Sequence, residues 1–279
     1  MMVKDEADII GVTVRHLLAQ VDEVIVGDNC STDGTREILE GIEDRRLLVH
    51  LDEEVGYYQS RKMSALADVA RHRGHEWVVP CDADEIWHSC EVDVRIADTL
   101  AVKAKNVGIV RAELFDHVAT GPLWAEVPSA VEGMPWRRRV AGKLPKVAAR
   151  LLPGLVIEQG NHGAHFPGSM AVSGGLAVRH FPYRSVGQFV SKVENGAAAY
   201  AATDLPWSMG QHWREYGQHL ESGGVEAIRE IFATWFHVSV LGDDPTLIMD
   251  PAPLMGVEPY ESFAASQGAN FDAPHEGEA

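Results

Sequence analysis

The feature that most constrains this chain is an alternation in its first third: short apolar runs that each end in acids, separated by helical patterns. The runs are VDEVIVGDN (21–29), LLVHLDE (47–53) and EWVVPCDAD (76–84). In EADIIGVTVRHLLAQV the apolar residues Ile10, Val14, Leu17 and Val21 recur at spacings of three or four, which is one face of a helix. Thr35 to Ile42 reads as a short helix opened by a Ser31-Thr32-Asp33 capping turn. Ser60 to His72 reads as another, with Met63, Leu66, Ala67 and Ala70 on one face. Strands alternating with helices at a repeat of roughly 25 residues predict βαβ units, hence an α/β fold with a Rossmann-like, mostly parallel central sheet flanked by helices.

In such sheets ligands bind beyond the carboxyl ends of the strands. Asp28-Asn29, Asp52-Glu53 and Asp82-Ala83-Asp84-Glu85 all fall at such ends. Acids there also cap helices, so only their convergence points to a site. MMVKDE reads as the last half of a first strand, with Lys4-Asp5-Glu6 at its carboxyl end. It is shorter than the usual five or six residues, as a misassigned start codon would make it.

Charge narrows the function classes. Lys and Arg total 24 against 41 Asp and Glu, for a net charge of −17 across 279 residues. That disfavours a nucleic-acid partner and docking on anionic membranes. No stretch approaches the apolar length of a membrane span, so no integral membrane segment is expected. Cys30, Cys81 and Cys90 form no CxxC pair, which suggests neither a disulfide framework nor a structural zinc site. Cys30 and Cys81 read as small buried fillers. A cytoplasmic location is the expectation. The last Lys or Arg is Arg229, and GANFDAPHEGEA at the end reads as a mobile acidic tail.

After residue 90 the pattern changes. VGIVRAELFDHV (107–118) is strand-like, and a basic cluster follows: Arg137, Arg138, Arg139, Lys143, Lys146 and Arg150. It is either a solvated face or a clamp for an anionic acceptor or donor phosphates. GLVIEQGNHGAHF and GGLAVRHFPYRS read as strand ends carrying histidines; Ser185 to Ala202 and Trp207 to His219 read as helices. Trp124, Trp136, Trp207 and Trp213 either stack on sugar rings or build core. The expected organisation is a nucleotide-binding half (1–106), a smaller mixed-sheet half (107–242) and an acidic, proline-containing tail (243–279).

VIVGDNCSTDGTREIL resembles the glycosyltransferase family 2 signature VVDDGSTDGT. Asp28 falls on its first Asp, Asn29 on its second and Cys30 on its Gly, while Ser31-Thr32-Asp33-Gly34-Thr35 match outright. EWVVPCDADEIW resembles the family's strand-then-DxD segment, with Asp82 and Asp84 on the two aspartates. In Tyr58-Gln59-Ser60-Arg61-Lys62, Arg61 falls on the Arg of the family's Ala-Arg-Asn helix start. Val3-Lys4-Asp5-Glu6 resembles the strand-one ending, with Asp5 for Asn and Glu6 for Glu. The resemblance covers residues 3–90 and, more weakly, GNH (160–162) and HFPYRSVGQFVSKVENG (180–196). Asn29 removes one charge from the pattern, and Pro80 predicts a bulge in the DxD strand.

The resemblance implies a GT-A fold, with a smaller acceptor half, and a metal-dependent, inverting glycosyltransferase. It implies a nucleotide-diphosphate-sugar donor and leaves the acceptor open: glycan, small molecule or lipid-linked. A divalent cation, manganese or magnesium, would neutralise the departing diphosphate. Asp84 is the first choice as direct ligand, with Asp82 on the ribose or reaching the metal through water. Asp28 and Glu6 would contact the nucleoside; Lys4 and Arg61 would contact the diphosphate or orient Asp28. A late histidine would complete the metal, His162 being preferred over His180 because its flanking glycines allow close approach. For the general base, Asp116 is favoured over Glu113, three residues away and pointing differently. The rivals are a catalytically silent relative that binds sugar nucleotide or glycan, and a nucleotidyltransferase, against which stands the absence of a Gly-rich loop after the first strand.

Overall fold

The computed structural model describes residues 1–121, 130–239 and 244–257. The first half runs β1 (Met2–Val3), α1 (Ile10–Gln20), β2 (Val24–Asp28), α2 (Thr35–Glu40), β3 (Leu47–Leu51), α3 (Gln59–His72), β4 (Trp77–Val78), β5 (Glu85–Ser89) and α4 (Ile96–Ala101). The second half adds β6 (Val107–Asp116), β7 (Ala119–Thr120), β8 (Trp136–Arg138), β9 (Lys146–Arg150), β10 (Val156–Ile157), β11 (Ala164–His165) and β12 (Ala171–His180). It ends with α5 (Val186–Ala201), α6 (Gln211–Trp235), β13 (His237–Val238) and β14 (Leu247–Met249).

The fold is α/β, but the sheet is less parallel than the repeat predicts. β1, β2 and β3 form a three-stranded parallel sheet. A second sheet, ordered β4-β9-β6-β12-β5, is mixed: only β6 and β12 run parallel. A single parallel bridge between Met2 and Asp82 joins the two sheets. Pro80, which has no N–H for a ladder, follows the end of β4 at Val78, and the chain turns through the DxD segment into β5, antiparallel to β12.

Because β4 and β5 pair with strands of the second half, the two halves share one hydrophobic core. Val14, Val26, Trp87, Val110, Ala148 and Val178 all belong to it. A second cluster, built on Phe181, Phe189, Phe232 and Met134, packs α5 and α6 against the far side. α6 extends well beyond His219, with a break at Gly224, whose φ is +65°. Of the expected tail, residues 244–257 pack onto the body, with β14 pairing β8 and Asp250 bonded to Arg137 and Arg179. GANFDAPHEGEA and Trp124 lie outside the described residues. Cys81 is buried as expected; Cys30 is exposed, standing on the loop after β2 at φ +54°.

Among the described residues no helix is long and apolar enough to cross a membrane.

Candidate functional site

Pairing register builds the centre of the site. His180, the last residue of β12, stands opposite Glu85 on β5 and Asp116 on β6. Side chains directly opposite on neighbouring strands share a face, so three titratable groups form one row. Asp84 precedes Glu85, and its backbone carbonyl accepts from Phe181, which locks the turn against the end of β12. The result is an Asp116–His180–Asp84 relay. His180 Nδ1 lies 2.7 Å from Asp116 Oδ1, and its Nε2 lies 3.7 Å from Asp84 Oδ2. Glu113 is exposed on the opposite side of β6.

Asp84, Asp116 and His180 line a cleft of about 600 Å³, together with Lys4, Glu6, Asn29, Asp82, Lys146, His162, Lys192 and Tyr200. Burial alone would raise the Asp84 carboxyl. Lys192, His180 and Arg184 overturn that and hold it well below the usual carboxylate range. Burial works to lower His180, yet the carboxylates of Asp84 and Asp116 hold it above its ordinary value.

Asp82 has a different environment. Its Oδ1 accepts from Gln59 Nε2 at 2.9 Å and Asn161 Nδ2 at 3.0 Å, and its Oδ2 accepts from Lys146 Nζ at 2.7 Å. Both oxygens are engaged by protein. Glu85 lies beneath, accepting from Trp87 Nε1 at 3.0 Å and from the Asp82 backbone, with Lys146 2.6 Å away.

The remaining sequence candidates divide. Lys4 lines the cleft and donates to the carbonyls of Asn29 and Cys30 at 3.2 and 3.1 Å, capping the loop after β2. Glu6 also lines it, but pairs with Arg184, which binds Asp8 at 2.7 Å through two nitrogens. Asp28 is fully buried under that loop; it accepts from Ser31 N at 3.1 Å and does not line the cleft. Arg61 points outward, paired with Glu54 and stacked over Tyr58. His162 lines the cleft, but its Nδ1 lies on the Pro145 carbonyl, and the structure puts His180, not His162, beside Asp84.

In Gly-Asn-His the residue that reaches the Asp-Ala-Asp turn is Asn161. Gly160 at φ +81° and Asn161 at φ +58° carry the chain through a left-handed turn that a side chain at 160 would block, since its Cβ would meet the His162 ring at 2.7 Å. Sequence reasoning also missed Gln59, Arg184 and Lys192, and it named Lys146 only as one of a basic cluster, whereas the structure sets it on Asp82 and Glu85. Helical phase could have found two. Gln59 lies four residues before Met63 on the inward stripe of α3, while Arg61 lies off it. Lys192 lies three after Phe189 on α5 and three before Asn195, which donates to Asp5 at 2.9 Å.

Among the described residues no group of three or more His, Cys, Asp and Glu is placed to hold a metal. Asp84 and His180 offer two donors on one point at the cleft wall. That fits a cation completing its shell with phosphate and water oxygens, the usual habit of magnesium at nucleotide sites.

Residues 1–92 match the family model described as glycosyl transferase family 2. The N-terminal third, which carries β1 to β5 and the Asp-Ala-Asp turn, is therefore glycosyltransferase family 2-like. Among solved structures the chain is similar to the mannosyltransferase PcManGT from Pyrobaculum calidifontis in complex with GDP-Man and Mn2+. The two are 18% identical with a TM-score of 0.40, over 96% of this chain and 78% of that one. No curated protein matches.

Proposed function

We propose, for a chain whose first 92 residues are glycosyltransferase family 2-like, that the cleft moves a sugar from a nucleotide-diphosphate donor to an acceptor hydroxyl. The observation that carries this reading is the Asp116–His180–Asp84 relay at strand ends, opening into a cleft large enough for a sugar nucleotide. Asp84 and His180 would hold a manganese or magnesium ion, whose charge neutralises the departing diphosphate. Lys4 stands at the mouth beside the loop after β2, where a nucleotide's phosphates would lie.

Asp116 is the proposed base. Its side chain is 45% exposed to the cleft, and His180 occupies only one of its oxygens. The other oxygen takes the proton of the acceptor hydroxyl. The acceptor oxygen bonds to the anomeric carbon, the bond from that carbon to the diphosphate breaks, and the nucleoside diphosphate leaves. Direct displacement inverts the anomeric centre. The acceptor class follows from none of these residues.

Thermal melting with UDP, GDP, dTDP and CDP, each with and without manganese, on wild type and Asp84→Asn tests the reading. A metal-dependent rise with one nucleotide, lost in the variant, is the expected result. At tenfold excess over Kd it amounts to roughly 1.4 kcal/mol. No shift with any nucleotide overturns the donor site. A shift without donor turnover would favour the silent relative instead.

A further inference from the structure

Two lysines from the second half of the chain sit on the two aspartates of the Asp-Ala-Asp turn, and they are not equivalent. Lys146 is 5% exposed and closed in by three partners: Asp82 at 2.7 Å, Glu85 at 2.6 Å and the Gly160 carbonyl at 2.8 Å. Lys192 lines the cleft and is 21% exposed. Its Nζ lies 2.5 Å from Asp84 Oδ2, 3.2 Å from the Pro182 carbonyl and 3.5 Å from Glu6 Oε1.

The oxygen Lys192 holds is the one that faces His180 Nε2 at 3.7 Å. A cation shared by Asp84 and His180 needs that same oxygen. An ammonium and a divalent ion are like charges, and in a buried pocket they cannot share one carboxylate oxygen without strong repulsion. We infer that Lys192 is the resident counter-ion of Asp84, which a divalent cation must displace, so that Lys192 sets the cation affinity of the donor site. This rests on the reading of Asp84 as a cation ligand. The freed ammonium, on a flexible four-carbon stem, stays in the cleft, where a diphosphate offers it oxygens. Cation and nucleotide then bind cooperatively: the diphosphate supplies ligands to the one charge and a new partner to the other. Lys192 acts here as a positioning residue.

The test reads cation binding directly, with Mn2+ alone, from loss of the free-ion EPR signal. It compares wild type, Asp84→Asn, Lys192→Gln, Lys192→Arg and Lys192→Gln combined with Asp84→Asn, each checked for folding by its melting curve. Lys192→Gln is expected to bind Mn2+ at least tenfold more tightly than wild type. The double variant should lose that gain, and Lys192→Arg, which keeps the competing charge, should bind no more tightly than wild type. A merely structural lysine would do the reverse, since its loss would loosen the site and weaken binding. Equal or weaker binding by folded Lys192→Gln, with Asp84-dependent binding intact in wild type, overturns the inference and leaves the cation on Asp84. If Lys192→Gln does not fold, tighter binding by Lys192→Arg overturns it. If no variant binds Mn2+ in an Asp84-dependent way, the cation reading falls and the inference falls with it.

Discussion

Asp82 and Asp84 are two residues apart, and the fold gives them different tasks. Asp82 is held on both oxygens by Gln59, Asn161 and Lys146, whereas Asp84 faces the cleft beside His180. Lys146 is thus the keystone of a buried charge cluster. Burial opposes its ammonium, and Asp82 and Glu85 more than offset that, raising it above its ordinary value. Lys146→Met leaves the two carboxylates facing each other unpaired. It should cost about 3–5 kcal/mol, read as a collapse of the denaturation midpoint. Arg61→Ala removes an exposed pair with Glu54 and should change stability by no more than about 0.5 kcal/mol, with donor turnover unaltered. Asp116→Asn separates chemistry from folding. With the side chain 45% exposed, the melting temperature should hold. Turnover of the donor that the melting screen identifies should fall by about 10²–10⁴-fold, as expected for loss of a general base. Unchanged turnover would remove Asp116 from the mechanism.

At the scale of elements, helices were legible because their period is local. The stripes Ile10, Val14, Leu17 and Met63, Ala67, Ala70 both turn inward as the sequence indicates. The pairing of the strands after Val78 was not, because an apolar run does not say which neighbour it pairs with, and β4 and β5 find theirs some 70 to 100 residues away in β9 and β12.

Across the whole molecule the first third, the part that matches the family model, was the readable part, since its motifs sit at strand ends that the chain reaches in order. The residues that tune it were not readable, because Lys146, Asn161, Arg184 and Lys192 arrive from positions far along the chain and only folding shows which acid each one meets. The same long-range closure ties the end of the described chain to its beginning. His16 on α1 is fully buried, its Nε2 2.6 Å from the Trp87 carbonyl, while its Nδ1 accepts from Met255 N at 3.0 Å. The first contact needs a donor and the second an acceptor, so the fold selects the neutral tautomer. Burial, more than any neighbour, pushes His16 down to about 4. A histidine whose folded value is depressed binds its proton more readily when unfolded, so stability is lost as pH falls from about 6.5 toward 4. The loss for His16 alone is about 3 kcal/mol. Urea denaturation followed between pH 7 and 4 should show that acid limb, and His16→Gln, which cannot take up the proton, should flatten it. If the limb keeps its slope in the variant, the closure between α1, Trp87 and Met255 does not govern acid stability, and His117, also held near 4 by burial, becomes the group to replace next.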